Sequence, residues 1–167
     1  MEILAAHEKP FLPAIRRLFE AYAAEIEVDL CFQGFAAELA GLPGGYAPPG
    51  GRLFLAQRDN DPAGCVALRP FDDDACEMKR LYVCPAHRGL GLGRELATAA
   101  IEAAHAIGYQ RMRLDTLPSM QTALGLYRTL GFREIPPYYH NPMPGAVFME
   151  LALAPPRAAG PLSPPPT

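Results

Sequence analysis

Only four cysteines occur in the 167 residues, Cys31, Cys65, Cys76 and Cys84, and no two of them stand as Cys-x-x-Cys. That spacing argues against a zinc site, and scattered thiols of this kind read as reduced cysteines of a cytoplasmic protein. No apolar run approaches the ~20 residues a membrane helix needs. The start, Met1-Glu2-Ile3-Leu4, lacks the basic flank and apolar stretch of a secretion signal, so none is expected. Positive charge is also scarce. A net charge of −3 leaves no broad basic face for nucleic acid. Two phosphate signatures are missing as well. A G-x-G-x-x-G pattern begun at Gly89 would need glycine where Arg94 stands, and one begun at Gly91 would need it at Leu96. No Gly-Lys-Ser/Thr follows either, so the dinucleotide fingerprint and the P-loop are both excluded. There is no internal repeat.

What remains is a chain that is half apolar and one-fifth charged, long enough for one domain with a real core. That domain is expected over residues 1–153. The tail, 154–167, is rich in proline and alanine without apolar periodicity, and is expected to be disordered. Ile3–Ala6 reads as a first strand. Phe11, Ile15, Leu18, Phe19, Tyr22 and Ile26 recur at helical spacing, with Pro13 suited to the first turn. Phe32–Leu39 reads as a short second helix. The Gly/Pro-rich stretch from Gly41 to Gly51 is too long for a simple connection and suggests a lid on the substrate side. Strands follow at Leu53–Gln57, Cys65–Arg69 and Cys76–Val83. Asp72, Asp73 and Asp74 read as a solvated hairpin tip, because no histidine or carboxylate cluster supports a metal there. Leu92, Leu96, Ala99, Ala103 and Ile107 mark a helix that Gly108 ends. Arg111–Thr116 alternates as a half-buried strand. Ser119 is positioned to cap a helix reaching Leu130, and Phe132–Ile135 and Val147–Leu153 are the last strands. Hairpins followed by alternating helices and strands describe a single-domain mixed α/β sheet. Its parallel pair would flank the Gly91 helix, joined by a right-handed crossover.

One stretch organises the rest: Val83-Cys84-Pro85-Ala86-His87-Arg88-Gly89-Leu90-Gly91-Leu92-Gly93-Arg94. A strand ends, a glycine turn follows and a helix begins. Glycine adopts φ > 0 without strain and lets backbone N–H groups approach a ligand. The helix N-terminus aims free N–H groups and its positive dipole end at the same point, which makes an anion site. The pattern present is Arg-x-x-Gly-x-Gly, at Arg88, Gly91 and Gly93. With Val83 and Pro85 upstream, this resembles the acetyl-coenzyme A loop of the GNAT superfamily of N-acetyltransferases. A second stretch, Ala123-x-x-x-Tyr127 followed by Gly131-Phe132, resembles the other recurring segment of that family and falls one helix and one strand later. The stretch Pro136-Pro-Tyr-Tyr-x-Asn-Pro142 is similar to that of a bacterial subgroup. One departure is Met120, where many members carry asparagine three residues before the alanine.

The resemblance implies the acyl-CoA N-acyltransferase fold, a mostly antiparallel sheet with a splayed parallel pair between its fourth and fifth strands. It implies acetyl-CoA as co-substrate, a small-molecule, amino-acid or peptide amine as acceptor, and often a homodimer. Backbone groups of Leu81 and Val83 would then bond pantetheine. Arg88, Gly89, Gly91, Gly93 and Arg94 would hold the pyrophosphate. Tyr127 would donate a proton to the leaving thiolate. From periodicity alone Tyr127 is core, on a stripe with Met120, Ala123, Leu124 and Leu130. A non-catalytic acyl-CoA sensing module on the same fold is the alternative.

Acetyl transfer to an amine needs a neutral nucleophile. A lysine-like amine of pKa ~10.4 is over three units from neutral at pH 7, roughly 4–5 kcal/mol. A positioned base or desolvation must offset that. Glu77 is the candidate base, on the strand leading to Val83; the alternative is a surface carboxylate paired with Lys79 or Arg80. Asp115, at the end of the next parallel strand, and Tyr139 and His140, in a proline-stiffened loop, are candidates for acceptor binding, while packing over the sheet end is favoured for Tyr138. Cys84 without a supporting base reads as inert.

Overall fold

A computed structural model describes residues 1–153. The expected disorder of 154–167 falls outside those residues. Seven strands form one sheet: β1 (Glu2–Ala5), β2 (Arg52–Arg58), β3 (Asp61–Pro70), β4 (Ala75–Val83), β5 (Arg111–Thr116), β6 (Arg133–Ile135) and β7 (Val147–Ala152). Their order is β1-β2-β3-β4-β5-β7-β6. Every neighbouring pair is antiparallel except β4 with β5. Helices α1 (Leu12–Ile26) and α2 (Phe35–Ala40) belong to one face, and α3 (Leu92–Ile107) and α4 (Gln121–Thr129) to the other. Among the described residues no helix is long and apolar enough to cross a membrane.

Local chemistry explains most boundaries. Asp59 and Asn60 both take left-handed φ, 51° and 66°. Short polar side chains tolerate that conformation, and two such residues in a row make the tight hairpin turn matched to strand twist. Arg58 therefore pairs with Asp61, and β3 begins four residues before the expected Cys65. Asp72 folds the next turn, accepting from the N–H groups of Asp74 (2.9 Å) and Ala75 (2.7 Å). Pro13 does sit in the first turn of α1. The buried stripe of α3 is Leu92, Leu96, Ala97, Ala100 and Ala104, so the predicted Ala99, Ala103 and Ile107 lie toward its flank. Ser119 is not the cap of α4. Met120 holds that place, its N–H donating to the Leu117 carbonyl at 3.0 Å, so a backbone turn starts the helix.

The Gly41–Gly51 stretch is not the expected lid. Tyr46 is buried in the core beneath α1, its ring edge-on to Phe19, and its hydroxyl donates to Glu38 at 2.8 Å. The segment plugs that core and contributes no wall to the cleft described below.

The sheet opens at one seam. β4 and β5 pair over only three residues each, Ala75–Glu77 with Arg111–Arg113, and then diverge. Just past the pairing β4 carries a bulge: Lys79 opposes Ala67 and Tyr82 opposes Cys65, while Arg80 and Leu81 fall out of the ladder. Arg80 has φ 59°. A left-handed non-glycine residue costs roughly 1–2 kcal/mol. The charged hydrogen bonds that its guanidinium makes to Glu38, worth about 1.5–3 kcal/mol each, more than offset that. The bulge also turns two consecutive basic side chains, Lys79 and Arg80, toward the α1–α2 face.

Candidate active site

The open seam becomes a narrow cleft with about 40 Å³ of free volume, open to solvent. Met78, Lys79, Arg80 and Leu81 line it from β4, and Leu114, Asp115 and Thr116 from β5. Met120 and Tyr127 enter from α4, and Tyr22, Gln33, Asn141 and Met143 from the segments above the other face. It thus passes through the sheet, with the α4 side chains at one end and a charged cluster at the other.

The glycine turn lies beyond the first of these ends. Gly89 and Gly91 take φ 78° and 81°, and a Cβ at either would meet open space. Backbone conformation, not crowding, selects glycine there. Gly93 has helical φ; a Cβ there would only touch Leu126 and Val83 at 3.7 Å. The first intrahelical bond of α3 runs from Glu95 N–H to Gly91 O, leaving the N–H groups of Leu92, Gly93 and Arg94 free for an anion. The Cys84 N–H donates to Ala63 across the β3 ladder, so strand alternation turns the backbone groups of Val83 and Leu81 to the open side.

The basic side chains of the turn are otherwise engaged. Arg88 donates to Val83 O at 2.9 Å, pairs with Glu25 at 2.6 Å and lies over the Tyr82 ring. Its guanidinium fastens the strand end to α1, and it holds the Glu25 carboxyl below its ordinary range. Arg94 donates to Thr129 at the end of α4. The expected phosphate contacts of these two side chains are therefore not preformed, and the groups left free at the turn are backbone N–H groups.

Tyr127 lies where the two strands part. Its ring packs edge-on to Phe132, and among the described residues its hydroxyl has no hydrogen-bond partner. Burial pushes its pKa above the ordinary phenol value, so it carries its proton at neutral pH. Met120, beside it, receives the Thr116 hydroxyl at its sulfur, 3.4 Å. At the asparagine-replacing position the cleft wall is therefore a thioether.

The opposite end holds Asp115 together with two cations that sequence reading left on the surface. Lys79, Arg80 and Asp115 are almost wholly buried. Arg80 bonds Glu38 at 2.9 Å and Gln33 at 2.8 Å. Lys79 donates to the same Gln33 oxygen at 3.1 Å and stands 3.8 Å from Asp115. Burial pulls its pKa below the ordinary lysine value. Asp115 accepts from the Tyr139 hydroxyl and from Asn141 at 2.9 Å. Gln33 in turn donates to Tyr139 at 3.1 Å, linking the two segments that roof the cleft.

Asp115 and Tyr139, two separate acceptor candidates from sequence, thus stand in direct contact. His140 is exposed and lines none of the cleft; Asn141 and Met143 take its place, because the Asn141 side chain turns inward to Asp115 and accepts the Met143 N–H. Glu77 is buried, but its partners are neither Lys79 nor Arg80. One oxygen accepts from Arg69 at 2.9 Å and the other from Tyr138 at 2.8 Å. With both oxygens engaged below the seam, it does not reach the cleft as a base would have to. Tyr138 packs against Phe71 and Phe148, as expected. The Cys84 thiol donates a hydrogen bond to the Pro62 carbonyl, and burial raises its pKa, both of which favour the thiol over a nucleophilic thiolate. Sequence reading missed Lys79, Gln33 and Asn141. Only Asn141 left a trace, in the Tyr-Tyr-x-Asn-Pro stretch. Among the described residues no group of three His, Cys, Asp or Glu is placed to hold a metal.

A seven-stranded sheet split along its one parallel seam, with a glycine turn and a helix N-terminus at the cleft's edge, defines an acyl-CoA N-acyltransferase fold. Residues 13–132 match the family model described as Acetyltransferase (GNAT) family, and the chain belongs to that family. A Schizosaccharomyces pombe protein named as an uncharacterized N-acetyltransferase is 42% identical over 145 residues, covering 86% of this chain and 89% of that one. A GNAT acetyltransferase from Staphylococcus aureus shares the fold with TM-score 0.77 at 20% identity, covering 92% of this chain and 99% of that one. A GNAT family acetyltransferase from Elizabethkingia anophelis, solved with acetyl-CoA bound, superposes with TM-score 0.54 at 24% identity, covering 62% of this chain and 77% of that one.

Proposed function

We infer that the protein transfers the acetyl group of acetyl-CoA to a primary amine by direct attack. The observation that carries this is the split seam. The cleft in that seam joins a protonated phenol to a charged cluster suited to an amine, and a backbone anion site lies beyond its α4 end. In this reading the pyrophosphate lies on Gly89, Gly91 and the free N–H groups opening α3. Pantetheine runs along the open edge of β4 at Val83 and Leu81. The thioester then reaches the bulge, where backbone outside the ladder can bond the carbonyl oxygen as negative charge develops.

The acceptor arrives as an ammonium and loses one proton before attack. Its nitrogen forms the C–N bond, the C–S bond breaks and the nitrogen gives up a second proton. The leaving thiolate takes one proton from Tyr127, whose phenolate is reprotonated by the second proton from nitrogen, while the first passes to solvent. Amide, thiol and one released proton are the balance. Burial that raises the Tyr127 pKa makes the transfer more uphill than between the free groups, so it needs a thiolate equally shielded from water and made basic by the same desolvation. Glu77 has no part in this scheme; Asp115 is the carboxylate that faces the nitrogen.

Calorimetric titration with acetyl-CoA, with dephospho-CoA and NAD as controls, followed by thiol-release assays over an amine library, tests the reading. Micromolar acetyl-CoA binding, no NAD binding and amine-dependent thiol release are expected. Absence of acyl-CoA binding would remove it. Binding without turnover on any amine would leave a sensing module.

A further inference from the structure

The charged end of the cleft is only half satisfied. An ammonium has three donors. In Lys79, with a side chain only 4% exposed, one donor goes to the Gln33 oxygen at 3.1 Å. The nearest anion, Asp115 Oδ1, is 3.8 Å away, beyond hydrogen-bond range. Asp115 is lopsided in the same way. Its Oδ2 accepts from Tyr139 and Asn141, whereas Oδ1 has only that distant lysine. A buried cation and a buried anion thus stand side by side in the cleft, each with capacity to spare. The other charges nearby are already matched, Arg80 with Glu38 and Arg69 with Glu77.

The geometry points to a free amino acid as the acceptor, held as its zwitterion with the carboxylate on Lys79 and the amine on Asp115 Oδ1. This rests on the acetyltransferase reading above. An amino acid carries both charges on one carbon, a spacing that a cation and an anion 3.8 Å apart can grip together. It adds no net charge to a buried site, and it completes the hydrogen bonding of both groups. A simple amine would meet Asp115 Oδ1 but leave Lys79 unpartnered and add a net charge to the site. A peptide N-terminus would offer an amide where a carboxylate is wanted. Ile26, Val28, Leu30 and Met143 line the remaining wall, so the side chain accommodated is apolar.

The test compares matched acceptors by thiol release from acetyl-CoA: leucine, leucinamide and isopentylamine, with the corresponding methionine and phenylalanine sets. The free amino acid should exceed both relatives in kcat/KM by about tenfold or more. Lys79→Met should bring that ratio near unity through KM, with calorimetric affinity for acetyl-CoA unchanged. Equal use of the amide or the amine by the wild-type protein overturns the proposal, even if the variant fails to fold. So does acetyl-CoA binding with no amino acid acetylated, or a variant that keeps the preference. These outcomes leave the acetyl-CoA reading intact; absence of acetyl-CoA binding removes both.

Discussion

The two ends of the cleft are built by different means. At the glycine turn the proposed reading leaves binding to the backbone: two left-handed glycines and three free N–H groups within one short stretch, while Arg88 and Arg94 face elsewhere. At the acceptor end the side chains do it. Gln33, Glu38, Lys79, Arg80, Asp115, Tyr139 and Asn141 converge from both roofing segments and two strands into one buried network. A ligand common to a whole family can be recognised by main-chain geometry, which tolerates sequence change. A ligand particular to one protein needs charges placed by tertiary structure, and each such charge must be matched or it destabilises the fold.

That contrast can be broken from either side. The largest effect is expected from Gly91→Asp, which puts a carboxylate at the anion site. Aspartate tolerates left-handed φ better than most residues, so the fold should survive at a cost near 1 kcal/mol, while calorimetry should find acetyl-CoA binding lost. Retained affinity would take the pyrophosphate away from this turn. At the acceptor end the reverse is expected. Glu38→Gln leaves Arg80 buried without its anion and should cost about 3–5 kcal/mol in urea unfolding. A loss below 1 kcal/mol would mean that the network is not what holds the bulge. Tyr127→Phe, at the middle of the cleft, should lower kcat by about 10²-fold with acetyl-CoA affinity unchanged. Equal turnover would remove Tyr127 from the chemistry.

The smallest effect is expected from Arg88→Ala. The Arg88–Glu25 pair is half exposed, so its loss should cost less than about 1 kcal/mol at pH 7. The pair lowers the Glu25 pKa from its reference of 4.5. Its contribution is therefore full above that value and is lost as pH falls through the depressed folded-state pKa. Wild-type and Arg88→Ala stabilities should converge once pH lies below that depressed value. A difference that persists there would assign the effect of Arg88 to its bond with Val83 or its contact with Tyr82.

Legibility in the sequence followed the same division. Gly89 and Gly91, Tyr127 in its motif and the alternation of Arg111–Thr116 are local signals, and local signals are what a linear reading contains. Asp115 was found because a parallel strand's end is a general location for functional groups. Lys79 was not, because a lysine between Glu77 and Arg80 looks like a solvated charge until three segments close over it. Glu77 was misread for the same reason: its partners, Arg69 and Tyr138, lie 8 and 61 residues away. His140 and Asn141 differ by one position in a loop without periodicity, and only the folded loop decides which of them turns inward.

The bulge at Arg80 has a consequence for sequence change. A strand assigns its residues to faces by odd and even position, and one extra residue exchanges the two sets from there onward. Before the bulge, Cys76 and Met78 join the core beside α3; after it, Leu81 and Val83 do, and Tyr82 joins the core beside α1. Deleting a single residue from 79–81 would restore strict alternation and rotate Val83, with the whole glycine turn behind it, to the wrong side of the sheet. The parity of one count thus sets the relative orientation of the two half-sites, and chain length between Glu77 and Val83 should tolerate no change where side-chain identity can drift.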